Sequence, residues 1–270
     1  MVEALEVRGL KKSYAKNHVL KGVDFTVHKG EIFALLGVNG AGKTTALECI
    51  EGLRPYDGGE IIIGGKIGIQ LQSATLQACI KPLEAVNLFA GWNRVKPNRD
   101  MLESLGIYAL AKRRYSELST GQKRRLHLAL ALIADPDIIF LDEPSAGLDV
   151  GARHALHEHI RALRERGKTI ILASHDMAEV EALCDRIAIL KDGKIAFAGS
   201  TGELTATLGR RYKIRITTSS GQQSYDTDNL TVALLEKVGE YKNKGVEILD
   251  IRTDRGTLEE HFIYIAEEGK

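Results

Sequence analysis

The sequence predicts an α/β fold, a parallel sheet covered by helices on both faces, with a small α+β unit at its C-terminal end. Three observations carry this. Short uninterrupted apolar runs (IFALLG, IIFLDE and TIILAS) read as fully buried strands. Helical patterns separate them, as parallel strands require. After about Gly202 the composition changes and strictly alternating strands appear.

Taken in order, VDFTVH alternates Val23, Phe25 and Val27 and reads as a half-buried strand, with a turn at Lys29-Gly30 before the buried run. A glycine-rich loop and a helix to about Ile50 follow, closed by Gly52. DGGEIIIGGK and IGIQLQ are short strands. From about Gln77 to Arg114 the pattern is helical, interrupted near Pro97. Ser119 is a candidate N-cap with Gln122 at capping-box spacing, opening a helix that runs through KRRLHLALALIA and ends before Pro136. DPDIIFLDEP is a buried strand. GARHALHEHIRALRERG sets Leu156, Ile160 and Leu163 on one face and stops at Gly167. KTIILASHD is another buried strand, and RIAILKDGKIAFAG is a hairpin turning at Asp192-Gly193. YKIRITT and GVEILDIRT are strands of the C-terminal unit. Its helical segments lie at about 228–242 and 257–269, with Thr257 and Glu260 at capping-box spacing.

The chain has 270 residues, 37 basic against 36 acidic, and a formal charge of +1. Such a balance gives no electrostatic footprint for nucleic acid. The basic runs are scattered, as on solvated faces. The three cysteines, Cys49, Cys79 and Cys184, lack metal-site spacing and fit a reducing compartment. No apolar run approaches the roughly 20 residues that span a bilayer, and the N-terminus lacks the apolar core of a secretion signal. Work at a membrane therefore implies a partner that spans it.

GVNGAGKTT fits G-x-x-x-x-G-K-[ST] with Gly37, Gly42, Lys43 and Thr44. Glycines let successive backbone N–H groups turn toward phosphate oxygens, and the following helix adds its positive end. Lys43 reaches the outer phosphates, and the Thr44 hydroxyl is a Mg²⁺ ligand. Asp142 ends an apolar strand, where a carboxylate is costly without a counter-charge such as Mg²⁺. Glu143, next along, faces another way and is a candidate to polarise a water against a γ-phosphate. Without the phosphate loop, the pair would read as a strand end and cap. His175 ends a strand expected at the same crevice, where a neutral imidazole can bond a γ-phosphate oxygen or the attacking water. Gln72 can reach the metal or water through its amide oxygen, and Gln70 competes with it. Tyr14 can stack on an adenine or serve in ordinary packing.

Together these residues resemble the ATP-binding subunit of an ABC transporter, over about residues 3–200. The order is similar throughout: Tyr14, Walker A at 37–45, Q-loop Gln72, signature LSTGQ at 118–122, Walker B IIFLDE at 138–143, D-loop SAGLD at 145–149 and H-loop His175. The resemblance implies a P-loop NTPase core with a RecA-like parallel sheet, an antiparallel β subdomain and a helical subdomain at about 73–130. It sets an ATPase domain at 1–202 and an accessory domain at 203–270. The accessory part resembles the extension on ATPases of ABC-2 type exporters.

The implied roles follow. Gly37, Val38, Asn39, Gly40, Ala41, Gly42, Lys43, Thr44 and Thr45 bind ATP, and Tyr14 stacks on its adenine. Thr44, Gln72 and Asp142 hold Mg²⁺. Glu143 is the catalytic base, and His175 senses the γ-phosphate. Ser119, Thr120, Gly121 and Gln122 act on the ATP of a second, opposed copy, and Asp149 crosses the same interface. The implied partners are that second copy and a separate polytopic permease docked near Gln72 and 77–114. That places the chain on the cytoplasmic face of the membrane, hydrolysing ATP to power transport, with export as the direction. Two departures stand out: Thr120 replaces a signature glycine and puts a Cβ near an approaching phosphate, and Val38 replaces a common proline. Competing readings are a soluble ABC ATPase, disfavoured by the single cassette and the lack of a long heptad run, and a weakly hydrolysing nucleotide-gated module, which Thr120 keeps open.

Overall fold

A computed structural model of the chain describes residues 2–38, 40–70, 75–174, 176–207, 212–227, 229–255, 258–263 and 265. The expected site residues Asn39, Gln72 and His175, and the expected cap Thr257, lie outside them. The chain divides into two compact units, Met1–Ala198 and Gly199–Lys270.

The first unit begins with β1 (Glu3–Tyr14) and β2 (Asn17–His28), paired antiparallel, followed by β3 (Ile32–Leu36) and α1 (Lys43–Ile50). β4 (Gly58–Ile63) pairs with the other edge of β1, giving a three-stranded sheet ordered β2-β1-β4. β5 (Ile67–Gln70) leads to a helical region of α2 (Pro82–Asn93), α3 (Arg99–Ser104), two single 3-10 turns and α4 (Thr120–Ala131). β6 (Ile138–Asp142), α5 (Val150–Glu165), β7 (Thr169–Ala173), α6 (Met177–Leu183) and β8 (Arg186–Lys191) follow, and the unit ends within β9 (Lys194–Ser200). The larger sheet is ordered β5-β6-β7-β3-β8-β9. β5 through β8 are parallel in it, and β9 is added by the two-residue turn at Asp192-Gly193.

The core lies between the two sheets around α1. Leu5, Val7, Val23 and Val27 of the small sheet meet Phe33, Leu35, Phe140 and Leu190 of the large one, with Ala46, Leu47 and Ile50 of α1 among them. The Phe25 and Phe33 rings stack at 5.4 Å across this seam. β3 and β7 are buried along their whole length, as strands covered on both faces must be. α4 covers the opposite face of the sheet and approaches β5 closely: a Cβ on Gly68 would stand 2.7 Å from Pro136 Cγ and against the Ala131 carbonyl.

α4 ends at Ala131, earlier than the expected stop before Pro136. Leu132 closes the helix through its N–H to Leu128 O, and Asp135 takes a left-handed φ of 49°, so the chain has left the helix before proline could end it.

The second unit holds α7 (Thr201–Thr207), β10 (Tyr212–Thr218), β11 (Gly221–Thr227), α8 (Leu230–Asn243), β12 (Ile248–Arg255) and α9 (Leu258–Ile263). Its antiparallel sheet is ordered β11-β10-β12. Ile214, Ile216 and Tyr241 form its small core, with Leu230, Ala233 and Leu234 of α8 against it. No described helix of either unit is long and apolar enough to cross a membrane.

Candidate nucleotide site

The buried strand β3 delivers the chain into the glycine loop, and α1 leaves it at Lys43. Close approach dictates glycine at two loop positions. A Cβ on Gly37 would meet Leu190 O at 2.5 Å, and Gly42 has φ +105° with Leu20 Cδ2 3.0 Å from its missing Cβ. The carbonyl of Val38, in the position where proline is common, accepts from Ala41 N at 3.1 Å, so the turn forms without a proline.

Gly40, Gly42, Lys43, Thr44 and Thr45 line one cleft of about 270 Å³ with Asp142, Glu143 and Val19. Lys43 Nζ folds back onto the loop, donating to Gly37 O at 2.5 Å and Val38 O at 3.3 Å. Burial lowers its pKa, opposed by the charges of Glu143 and Asp142. Asp142 is held above the usual carboxylate range, first by burial and then by Glu143, with Lys43 pulling the other way.

Alternation along a strand turns Glu143 away from Asp142. Both line the same cleft instead. Glu143 has φ 47°, a left-handed conformation costing a side-chain-bearing residue roughly 1–2 kcal/mol, and its N–H is held by Ala173 O at 2.9 Å. That turn, placed at the adjoining ends of β6 and β7, re-aims the second carboxylate toward the phosphate loop.

Gln70 is 2% exposed, and its amide makes no hydrogen bond. It pairs in register with Leu141, one residue before Asp142, so its side chain lies on the other face of the sheet from Asp142. The structure thus withdraws Gln70 from the cleft. Tyr14 is also outside the cleft lining. It is 39% exposed at the end of β1, with Lys12 Nζ and Arg54 Cζ at 5.5 and 5.4 Å from its ring centroid.

The signature forms a separate site. Ser119 caps α4: its Oγ accepts from Gln122 N at 3.3 Å, and Gln122 Oε1 accepts from Ser119 N at 3.0 Å. The Ser119 O–H remains a donor beyond this box. Ser119, Gly121 and Gln122 line a cavity of about 230 Å³ with Arg124, Arg125, Leu148 and Ala152. Asp149 caps α5 by accepting from Ala152 N at 2.8 Å, and Leu148 of the D-loop lines the same cavity as the signature turn. Thr120 is exposed at the first position of α4. The signature cavity and the phosphate cleft share no lining residue.

Two cleft-associated residues escaped sequence reasoning. Val19 comes from β2 and carries no motif. Glu51 caps the C-terminal end of α1 and is 8% exposed, its carboxyl pushed up to about 7 by burial and by the charges of Asp142 and Glu48. A buried carboxylate at a helix C-terminus also opposes the helix dipole.

The donor set fits Mg²⁺. Asp142 and the Thr44 hydroxyl are hard oxygens in one cleft, and a buried acid needs a counter-charge. Among the described residues no cluster of three acidic, histidine or cysteine side chains could cage a metal alone. That suits an ion completing its shell with phosphate and water.

Residues 20–146 match the family model described as ABC transporter. A linearmycin resistance ATP-binding protein, LnrL, of Bacillus subtilis is 36% identical over 82% of this chain and 77% of its own length. A Nod factor export ATP-binding protein I of Paraburkholderia xenovorans is 37% identical over 76% of this chain and 73% of its own. Among solved structures, an ATP-binding subunit of an ABC transporter superposes with TM-score 0.69 at 27% identity, over 76% of this chain and 93% of that one. CbiO1 of Clostridium perfringens, part of the transporter complex CbiONQ, gives 0.67 at 28%, over 76% and 92%. With the phosphate loop, the paired carboxylates and the capped signature helix in place, the chain belongs to the ABC transporter family as an ATP-binding, ATP-hydrolysing subunit.

Proposed function

We propose that two copies of this chain close head to tail around two Mg·ATP and drive export through a separate membrane subunit. The observation that carries the dimer is the pair of separate anion-ready sites in one chain. Each ATP would lie between the phosphate loop of one copy and the signature turn of the other. Lys43 exchanges its loop carbonyls for phosphate oxygens, and Thr44 and Asp142 hold Mg²⁺, with Gln72 completing the set. The metal supplies charge neutralisation for the phosphates. Glu143 orients a water and takes its proton as the water oxygen bonds the γ-phosphorus and the bond to the bridging oxygen breaks, releasing ADP. His175 contacts the γ-phosphate, Tyr14 the adenine, and Asp149 the opposed copy.

Direction is supported by the relatives named for Nod factor export and linearmycin resistance. Docking at the helical region is supported by α2, which exposes Leu88 and Trp92, an apolar pair of the kind that marks partner surfaces. The segment from about residue 203 is read as an accessory domain. Glu143→Gln should abolish turnover, keep ATP binding and trap an ATP-dependent dimer in size-exclusion chromatography. Hydrolysis at the parent rate would show that another group is the base.

A further inference from the structure

β12 is an outer strand: β10 uses one edge, and the other carries no strand among the described residues. Leu249, Asp250, Ile251, Arg252 and Thr253 are all exposed, on both faces of the strand. Leu249 is 62% and Ile251 36% exposed. Such an edge is a ready template for another strand, and proteins guard it with like charges, proline or bulges. β12 has a single interruption, where Thr218 pairs with Ile248 and Thr217 with Asp250. From Asp250 to Arg255 the register is unbroken.

The charges on that regular stretch are of opposite sign. Asp250 and Arg252 are two apart on one face and pair within the strand, Arg252 Nε to Asp250 Oδ2 at 2.9 Å. A guard of one sign repels a second copy, whereas this pattern is complementary to itself. In antiparallel pairing about a two-fold axis at Ile251, Asp250 faces Arg252 of the other copy, Arg252 faces its Asp250, and Leu249 faces its Thr253. Opposite charges directly across a sheet are favourable, and like charges are unfavourable. The opposite edge, β11, lacks this property: about an axis at Ser224, its one charged residue, Asp226, would face Gln222.

We propose that β12 is a homotypic edge that joins the three-stranded sheets of two copies into one six-stranded sheet. This contact is independent of nucleotide and goes beyond the ATP-dependent closure proposed above.

The test uses the full chain without nucleotide, so its outcome does not depend on the ATP-bound dimer. In a Cys79→Ser background, which removes the exposed native thiol, Ile251→Cys puts two thiols across the axis. Directly opposed Cβ atoms stand about 4.5–5.5 Å apart, near disulfide reach. Mild oxidation should give a disulfide-linked dimer as the main product, and Ser224→Cys on β11 should give none.

In sedimentation, Asp250→Arg and Arg252→Asp should each weaken self-association by about tenfold or more, since each sets two like-charge pairs across the axis. An equimolar mixture of the two should recover it, because every introduced arginine then faces an aspartate. Both residues are exposed, and circular dichroism of each variant verifies the fold. A parent chain that stays monomeric at tens of micromolar, no recovery on mixing, equal cross-linking at Ser224, or assemblies larger than a dimer would each overturn the proposal.

Discussion

Replacing Glu51 by glutamine should flatten the response of stability to pH. Glu51 ends α1 directly behind the phosphate loop, and its carboxyl titrates at about 7 instead of the ordinary 4.5. The sign follows from linkage. Below 4.5 the carboxyl is protonated in both folded and unfolded chain, so its burial carries no charge penalty. As pH rises toward 7 the unfolded chain releases the proton while the folded chain retains it, and stability falls; above 7 the penalty is complete. At about 1.36 kcal/mol per pH unit the penalty is about 3 kcal/mol in the fully desolvated limit, or roughly 2 once solvent screening is allowed for. After burial, the negative charge of Asp142 is the next largest contribution to the raised value. Urea unfolding of parent and Glu51→Gln between pH 4.5 and 8 is the assay. The variant should match the parent near pH 4.5 and exceed it by roughly 2 kcal/mol at pH 8. A stability difference that stays constant with pH would refute the reasoning, because a neutral amide can change the slope only by removing a titration.

Lys43→Met keeps the length of the side chain and removes its charge; it should weaken ATP binding by about tenfold to a hundredfold in calorimetry, the worth of a charge-assisted bond. Asp149→Ala should lower stability by about 1 kcal/mol in thermal melts through loss of the α5 cap, and Asp149→Asn should restore it, since asparagine caps equally well. Gly68→Ala should cost roughly 1–3 kcal/mol in the same melts, because its Cβ meets the Ala131 carbonyl and Pro136.

The parts of the fold legible in the sequence are those decided locally. The phosphate loop, the capping box at Ser119 and the fully apolar strands β3, β6 and β7 depend on neighbours within a few residues. β1 escaped notice because register shifts at Val7/Leu10 and beyond break its two-residue period. β11 escaped because GQQSYDT is almost wholly polar: with one face of a small sheet to cover, Tyr225 alone packs inward. The direction of Glu143 was illegible for a different reason. Alternation along a strand puts it opposite Asp142, and the left-handed turn that reverses this is held by Ala173, a residue of another strand. Glu51 likewise reads as a polar helix end, and its burial is a property of the two sheets that close over α1.

The retracted lysine has one more consequence. Lys43 Nζ donates to two carbonyls of its own loop, those of Gly37 and Val38. Loading becomes a substitution reaction, in which an incoming triphosphate competes with the protein's own backbone for a single ammonium group. Selectivity begins there: anions too weak to win that exchange leave the loop closed on itself.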